Sequence, residues 1–142
     1  MKLEEIYQRC GLKDPDDYKK EVIDSALFSD NLFYTRSVIE GDRLNGRTTN
    51  FMMKAIQDLF EQRSVIIWVA GTEASRRVAS IFNYYAELFP ELEIKSTKLG
   101  EFFSNFQGKS SFLKFVPLYN NIPQSNILGL RWDIEYDDSI EF

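Results

Sequence analysis

Histidine is absent from the 142 residues, and cysteine occurs once, at Cys10. A lone cysteine forms no disulfide within the chain, and without histidine there is no Cys/His zinc site. Nor can this chain alone build a Ser-His or Cys-His nucleophile pair. Any catalysis must therefore rest on carboxylates, Lys, Arg, Tyr, Ser, Thr or a bound metal. Long apolar runs are missing as well: the longest, Val65 to Ala70, has six residues, far short of the ~20 needed to span a bilayer. An excess of positive charge is also lacking, with 17 Lys and Arg against 22 Asp and Glu for a formal charge of −5. Nucleic-acid backbones are held by cations that neutralise phosphates, so this balance argues against such a main partner. The start, Met1-Lys2-Leu3-Glu4-Glu5, is acidic and lacks the apolar core of a signal peptide, so a cytoplasmic location is expected.

What the chain does have is aromatic bulk, with twelve Phe, seven Tyr and two Trp. Such residues carry much of the burial energy of any core and need no functional explanation. The length suits one domain that buries a core without staples. We expect residues 1–30 to form a helical extension and residues 31–142 an α/β core.

Residues 2–10 read as a short helix with Leu3, Ile6, Tyr7 and Cys10 on one face, ended by Gly11. Asp14 and Pro15 open a second helix carrying Tyr18, Val22, Ile23, Ala26 and Leu27 inward. Leu32 to Ile39 favours a strand, although Arg36 interrupts it and a helix stays open. Asn50 to Phe60 repeats apolar residues at three and four, which predicts a helix. Ser64 to Gly71 is β-branched and almost wholly apolar, the pattern of a central strand buried on both faces. Thr72 is placed to cap a helix from Glu73 to about Leu88, closed by Pro90. Further along, Leu92 to Ser96 alternates as a strand and Lys98 to Phe106 reads as a short helix. Phe112 to Pro117 is a strand stopped by its proline. In Trp132 to Asp137, Trp132, Ile134 and Tyr136 alternate with Asp133, Glu135 and Asp137, which suits an edge strand. This alternation of helix and strand implies a three-layer α/β fold with a mostly parallel sheet.

The stretch Gly41-Asp42-Arg43-Leu44-Asn45-Gly46-Arg47-Thr48-Thr49 has the spacing G-x-x-x-x-G-K-[ST], with Arg47 in place of lysine. Two glycines let backbone N–H groups wrap inward, and the following helix adds the positive end of its dipole. The plainer reading is a Gly-Asp turn before a helix whose cap region is Asn45 to Thr49.

On these residues the chain resembles the P-loop NTPase family. The Gly-Arg-Thr-Thr helix opening and a strand ending in Ala-Gly also look like small phage-encoded proteins related to terminase and helicase cores. The resemblance implies that Gly41, Gly46, Arg47, Thr48 and Thr49 cradle the phosphates of ATP or GTP. It further implies that Thr48 and Asp137 hold Mg²⁺, with Asp138 beside them. The location would then be a host cytoplasm, if the chain is viral. Arg47 is a planar fork that grips phosphate yet fits the cradle less well than lysine. Glu135 interrupts the acid-bearing strand, and Asp138 stands where the pattern has glutamate. These departures imply phosphate binding with weak or no hydrolysis. Because the sequence stops at Phe142, further residues for turnover are expected from a partner or another subunit.

A rival expectation is a non-enzymatic module or inhibitor, host- or defence-directed, that binds protein through its acidic last strand and exposed aromatics such as Tyr84 and Trp132. Self-association belongs to the same reading. A DNA mimic is a weaker form of it, since −5 is a mild charge for 142 residues. A nuclease using Asp133, Glu135 and Asp137 ranks below both, because alternating residues on one strand seldom converge on one ion.

Overall fold

The computed structural model describes residues 1–12 and 46–139. The expected second helix, the expected strand Leu32 to Ile39, and Gly41 lie outside the described residues.

Three α-helices occur among the described residues: α1 (Leu3–Arg9), α2 (Arg47–Phe60) and α3 (Thr72–Ala86). The six strands are β1 (Val65–Ala70), β2 (Lys95–Lys98), β3 (Glu101–Phe106), β4 (Lys109–Tyr119), β5 (Ile122–Pro123) and β6 (Ile134–Asp138). They form one sheet in the order β2-β3-β4-β1-β6, with β5 paired to β4. β1 is parallel to both β4 and β6. β2, β3, β4 and β5 pair antiparallel.

The expected mostly parallel sheet is therefore corrected to a mixed one, and two tight turns are the cause. Gln107 and Gly108 have φ of 52° and 80°, the left-handed pair that closes a two-residue hairpin. Phe106 consequently pairs with Lys109, and β3 folds back along β4. Asn120 and Asn121 repeat the device with φ of 50° and 63°, joining β4 to β5. The helix expected over Lys98 to Phe106 is instead β3. Its aromatics suit a pleated surface, and the hairpin supplies the ladder partner.

Pro117 does not stop β4, which runs on to Tyr119. Its carbonyl accepts from Gln124 N at 2.8 Å on the side away from β1. The missing N–H faces that same side, opposite Gln124 and just past the last β5 residue, so the pairing of β4 with β1 is untouched.

β1 lies centrally, with Val65, Ile66, Ile67 and Val69 all at most 1% exposed. Val65, Ile67 and Val69 join one core cluster with Leu113 and Phe115 of β4, Phe102 of β3 and the inner faces of all three helices. The described helices thus cover one sheet face, whereas helices on both faces were expected. Phe82 of α3 packs edge-on against Phe102 and Phe115 at centroid distances of 4.7 and 5.8 Å, fixing α3 over the β3–β4 hairpin. Tyr7 donates to Asn50 Oδ1 at 2.9 Å and ties α1 to the start of α2. Because α2 and α3 each run back along the sheet, their N-termini meet the carboxyl ends of β6 and β1. Such crevices are where open α/β sheets commonly hold ligands.

Candidate functional site

Gly46 is the residue before α2, with φ 87° and ψ 16°. A residue with a Cβ adopts this left-handed conformation at a cost, so glycine sets the angle at which the helix begins. Arg47, Thr48 and Thr49 form its first turn, three residues earlier than the apolar periodicity suggested. The first backbone bond of the helix is Asn50 N to Gly46 O at 2.8 Å. The amides of Arg47, Thr48 and Thr49 have no partner within the helix and carry the positive end of its dipole.

The group facing this turn is Asp138, the last residue of β6, only 1% exposed. Arg47 Nε donates to Asp138 Oδ1 at 2.8 Å, and Thr48 Oγ1 donates to Asp138 Oδ2 at 2.7 Å. Arg47 Nη2 also reaches the Asp138 carbonyl at 3.4 Å. Both side chains of the ion pair are buried, at 6% and 2% exposure. Ions so desolvated persist only with a close partner and satisfied hydrogen bonds.

Of the residues the sequence singled out, Gly46, Arg47 and Thr48 are gathered here, and Thr49 sits one position further along the helix. Asp137 is not: its Oδ1 accepts from the backbone N–H and the hydroxyl of Ser139. Strand alternation is the reason. Ile134 and Tyr136 point toward α2, so Asp138 does too, and Asp137 points the other way. That signal was present in the sequence, since Trp132, Ile134 and Tyr136 already marked the inward phase.

A second contact secures β6 to α2. Tyr136 donates to Asp58 Oδ2 at 2.6 Å, and its ring stacks on Phe51 at 5.1 Å. Burial pushes the Asp58 carboxyl above the usual carboxylate range, while the Tyr136 hydroxyl pulls it partly back. Burial, and then the neighbouring Asp58, raise the Tyr136 phenol.

The residues suit a divalent cation only in company. One carboxylate oxygen and one hydroxyl converge, and the other oxygen of Asp138 is held by a guanidinium. Mg²⁺ needs about six oxygens and accepts one or two carboxylates where phosphates and water supply the rest. Among the described residues no group of three or more His, Cys, Asp or Glu could hold a metal by itself. Asp133 donates nothing to such a cluster, since its carboxylate accepts from Ser64 N at 2.7 Å. Glu135 accepts from Trp132 Nε1 at 2.9 Å. Cys10 is no activated nucleophile, for burial pushes its thiol up to about 11.

No family model, curated protein or solved structure matches the chain, so no relative lends a role to these residues. No helix among the described residues is long and apolar enough to cross a membrane.

Proposed function

We propose that the chain is a small P-loop-like module that binds a nucleotide or phosphate group at the start of α2, with weak or no hydrolysis. The observation that carries this reading is the convergence of Thr48 and Asp138 beside first-turn amides that lack helical partners. A phosphate accepts from those amides and is favoured by the helix dipole. Thr48 Oγ1 and Asp138 Oδ2 then supply two ligands of a Mg²⁺ whose remaining partners are phosphate oxygens and water. Arg47 acts mainly on Asp138: it neutralises the carboxylate and fixes its orientation. Spent in this way, its guanidinium adds little to a transferring phosphoryl group. Fast turnover needs such a cation together with a residue that orients water.

The test is thermal unfolding with Mg·ATP, Mg·GTP or inorganic phosphate, on the parent and on Thr48→Val. A ligand at a hundred times its dissociation constant adds about 2.7 kcal/mol of stability. Thr48→Val keeps the shape and removes the hydroxyl, so it should lower the Mg²⁺-dependent part of the shift at least tenfold in affinity. No stabilisation by any of the three ligands would sink this reading.

A second reading is a non-enzymatic module that binds protein. It draws support from exposed apolar groups, with Leu128 at 90%, Tyr119 at 68% and Tyr84 at 64% exposure. Trp132 lends it less, because its ring packs edge-on against Trp68 at 6.2 Å.

A further inference from the structure

A cavity of about 380 Å³ opens on the other side of β1, at the first turn of α3. Its origin is topological. β3 begins at Glu101, opposite Lys114, while β5 pairs only with Leu118 and Tyr119, and this leaves a notch beside β4 between the two. The first turn of α3 closes one side and residues 124–126 the other.

Basic groups line this notch on a chain that is acidic overall. Arg76 of α3 and Lys98 of β2 face it, and neither forms an ion pair with another described residue. Lys114 is 7% exposed, and its Nζ is held by Glu101 at 2.9 Å and by the Asn126 carbonyl at 3.0 Å. With Glu101 counted against it, the described lining residues carry a net charge of +2, from three cations and one carboxylate. Ser75 also lines the cavity. It is 93% buried, since its exposure is 7%, yet its Oγ makes no hydrogen bond. Among the described residues Ser111 Oγ is the one buried side-chain polar atom without a partner, so the Ser75 hydroxyl is open to the cavity and to a ligand in it. Beside it, the amides of Thr72, Glu73 and Ala74 have no partner within α3, whose first bond is Ser75 N to Gly71 O.

We infer that this notch binds the phosphate group of a small phosphorylated molecule. The phosphate accepts from the α3 first-turn amides and from Ser75 Oγ, with Arg76 and Lys98 balancing its charge. A guanidinium fork and helix N–H groups together match the several acceptor oxygens of a phosphate better than the two of a carboxylate. The cavity exceeds a bare phosphate, and Leu99, Phe115 and Pro117 give it an apolar wall. An organic phosphate monoester fits that division. The site is separate from the start of α2 and needs neither Thr48 nor Asp138.

Amide chemical shifts of the ¹⁵N-labelled protein, titrated with phenyl phosphate and with inorganic phosphate, test this. Saturable shifts are expected at Thr72, Glu73, Ala74 and Ser75, with phenyl phosphate binding at least fivefold more tightly. Arg76→Ala changes an exposed side chain, and it should weaken binding tenfold or more while the spectrum stays folded. Ser75→Ala should weaken it by a smaller factor, and Thr48→Val should leave it unchanged. Overturning results are shifts that do not saturate, shifts that follow ionic strength alone, or affinity that survives Arg76→Ala. Equal affinity for the two phosphates would refute the organic ligand. Loss of these shifts in Thr48→Val would refute a separate site, whatever happens at α2.

Discussion

Replacing Asp138 by alanine tests the central contact most directly. The change leaves the Arg47 guanidinium buried at 6% exposure with no carboxylate beside it, and removes the acceptor of Thr48 Oγ1. An exposed pair would contribute at most about 1 kcal/mol. Breaking one as buried as this costs about 3–5 kcal/mol, because the remaining charge is stranded in a poorly solvated site. Small domains are stable by about 5–15 kcal/mol, so Asp138→Ala should remove a large part of the total. Arg47→Met should also cost stability, though less, since Asp138 keeps the Thr48 hydroxyl and further contacts. The double change Arg47→Met with Asp138→Ala removes both charges and should cost less than the two single changes added together. Urea unfolding of the four proteins at one pH gives the coupling energy, expected at about 2–3 kcal/mol for such close partners. Single changes that each cost under 1 kcal/mol and add simply would refute the reasoning. The pair would then be solvated, and the start of α2 would not be held by β6.

Two further outcomes follow from groups buried elsewhere. Ser111 is 5% exposed in β4 and its Oγ has no hydrogen-bond partner. Ser111→Ala should therefore stabilise the protein by about 1 kcal/mol in urea unfolding, and a clear loss of stability would contradict that. Asp58 has its folded pKa raised, chiefly by burial. Its contribution is then fully present below the unfolded carboxylate pKa of about 3.9 and is lost as pH rises through the folded value. Asp58→Asn keeps an acceptor for Tyr136 and removes that loss. It should gain on the parent as pH rises from 4 to 7, and the opposite slope would be decisive against it.

Local pattern was enough for several elements. The unbroken β-branched run at Val65 to Ala70 marked a central strand, because only burial on both faces tolerates such a run. The three-and-four spacing of Met52, Ala55, Ile56 and Leu59 marked α2, and Thr72 with Pro90 bracketed α3. Lys98 to Phe106 misled for a physical reason. Its side chains alone do not choose between helix and strand, and the left-handed pair Gln107-Gly108 decided by giving it β4 to pair with.

The sequence by itself determined which chemistry is impossible, through the missing histidine and the single cysteine, and where the buried strand and main helices run. It also placed a basic residue and a hydroxyl just after a glycine at a helix start. Only the tertiary structure decided that Asp138 is what they meet, because residues 47 and 138 come together solely through the parallel pairing of β6 with β1. The α3 notch was hidden for the same reason. Ser75, Arg76, Lys98 and Lys114 belong to three elements of a mixed sheet and its covering helix, and no stretch of chain carries their pattern. Side-chain periodicity reports which face is buried, whereas sites of this kind arise from where strands end relative to one another.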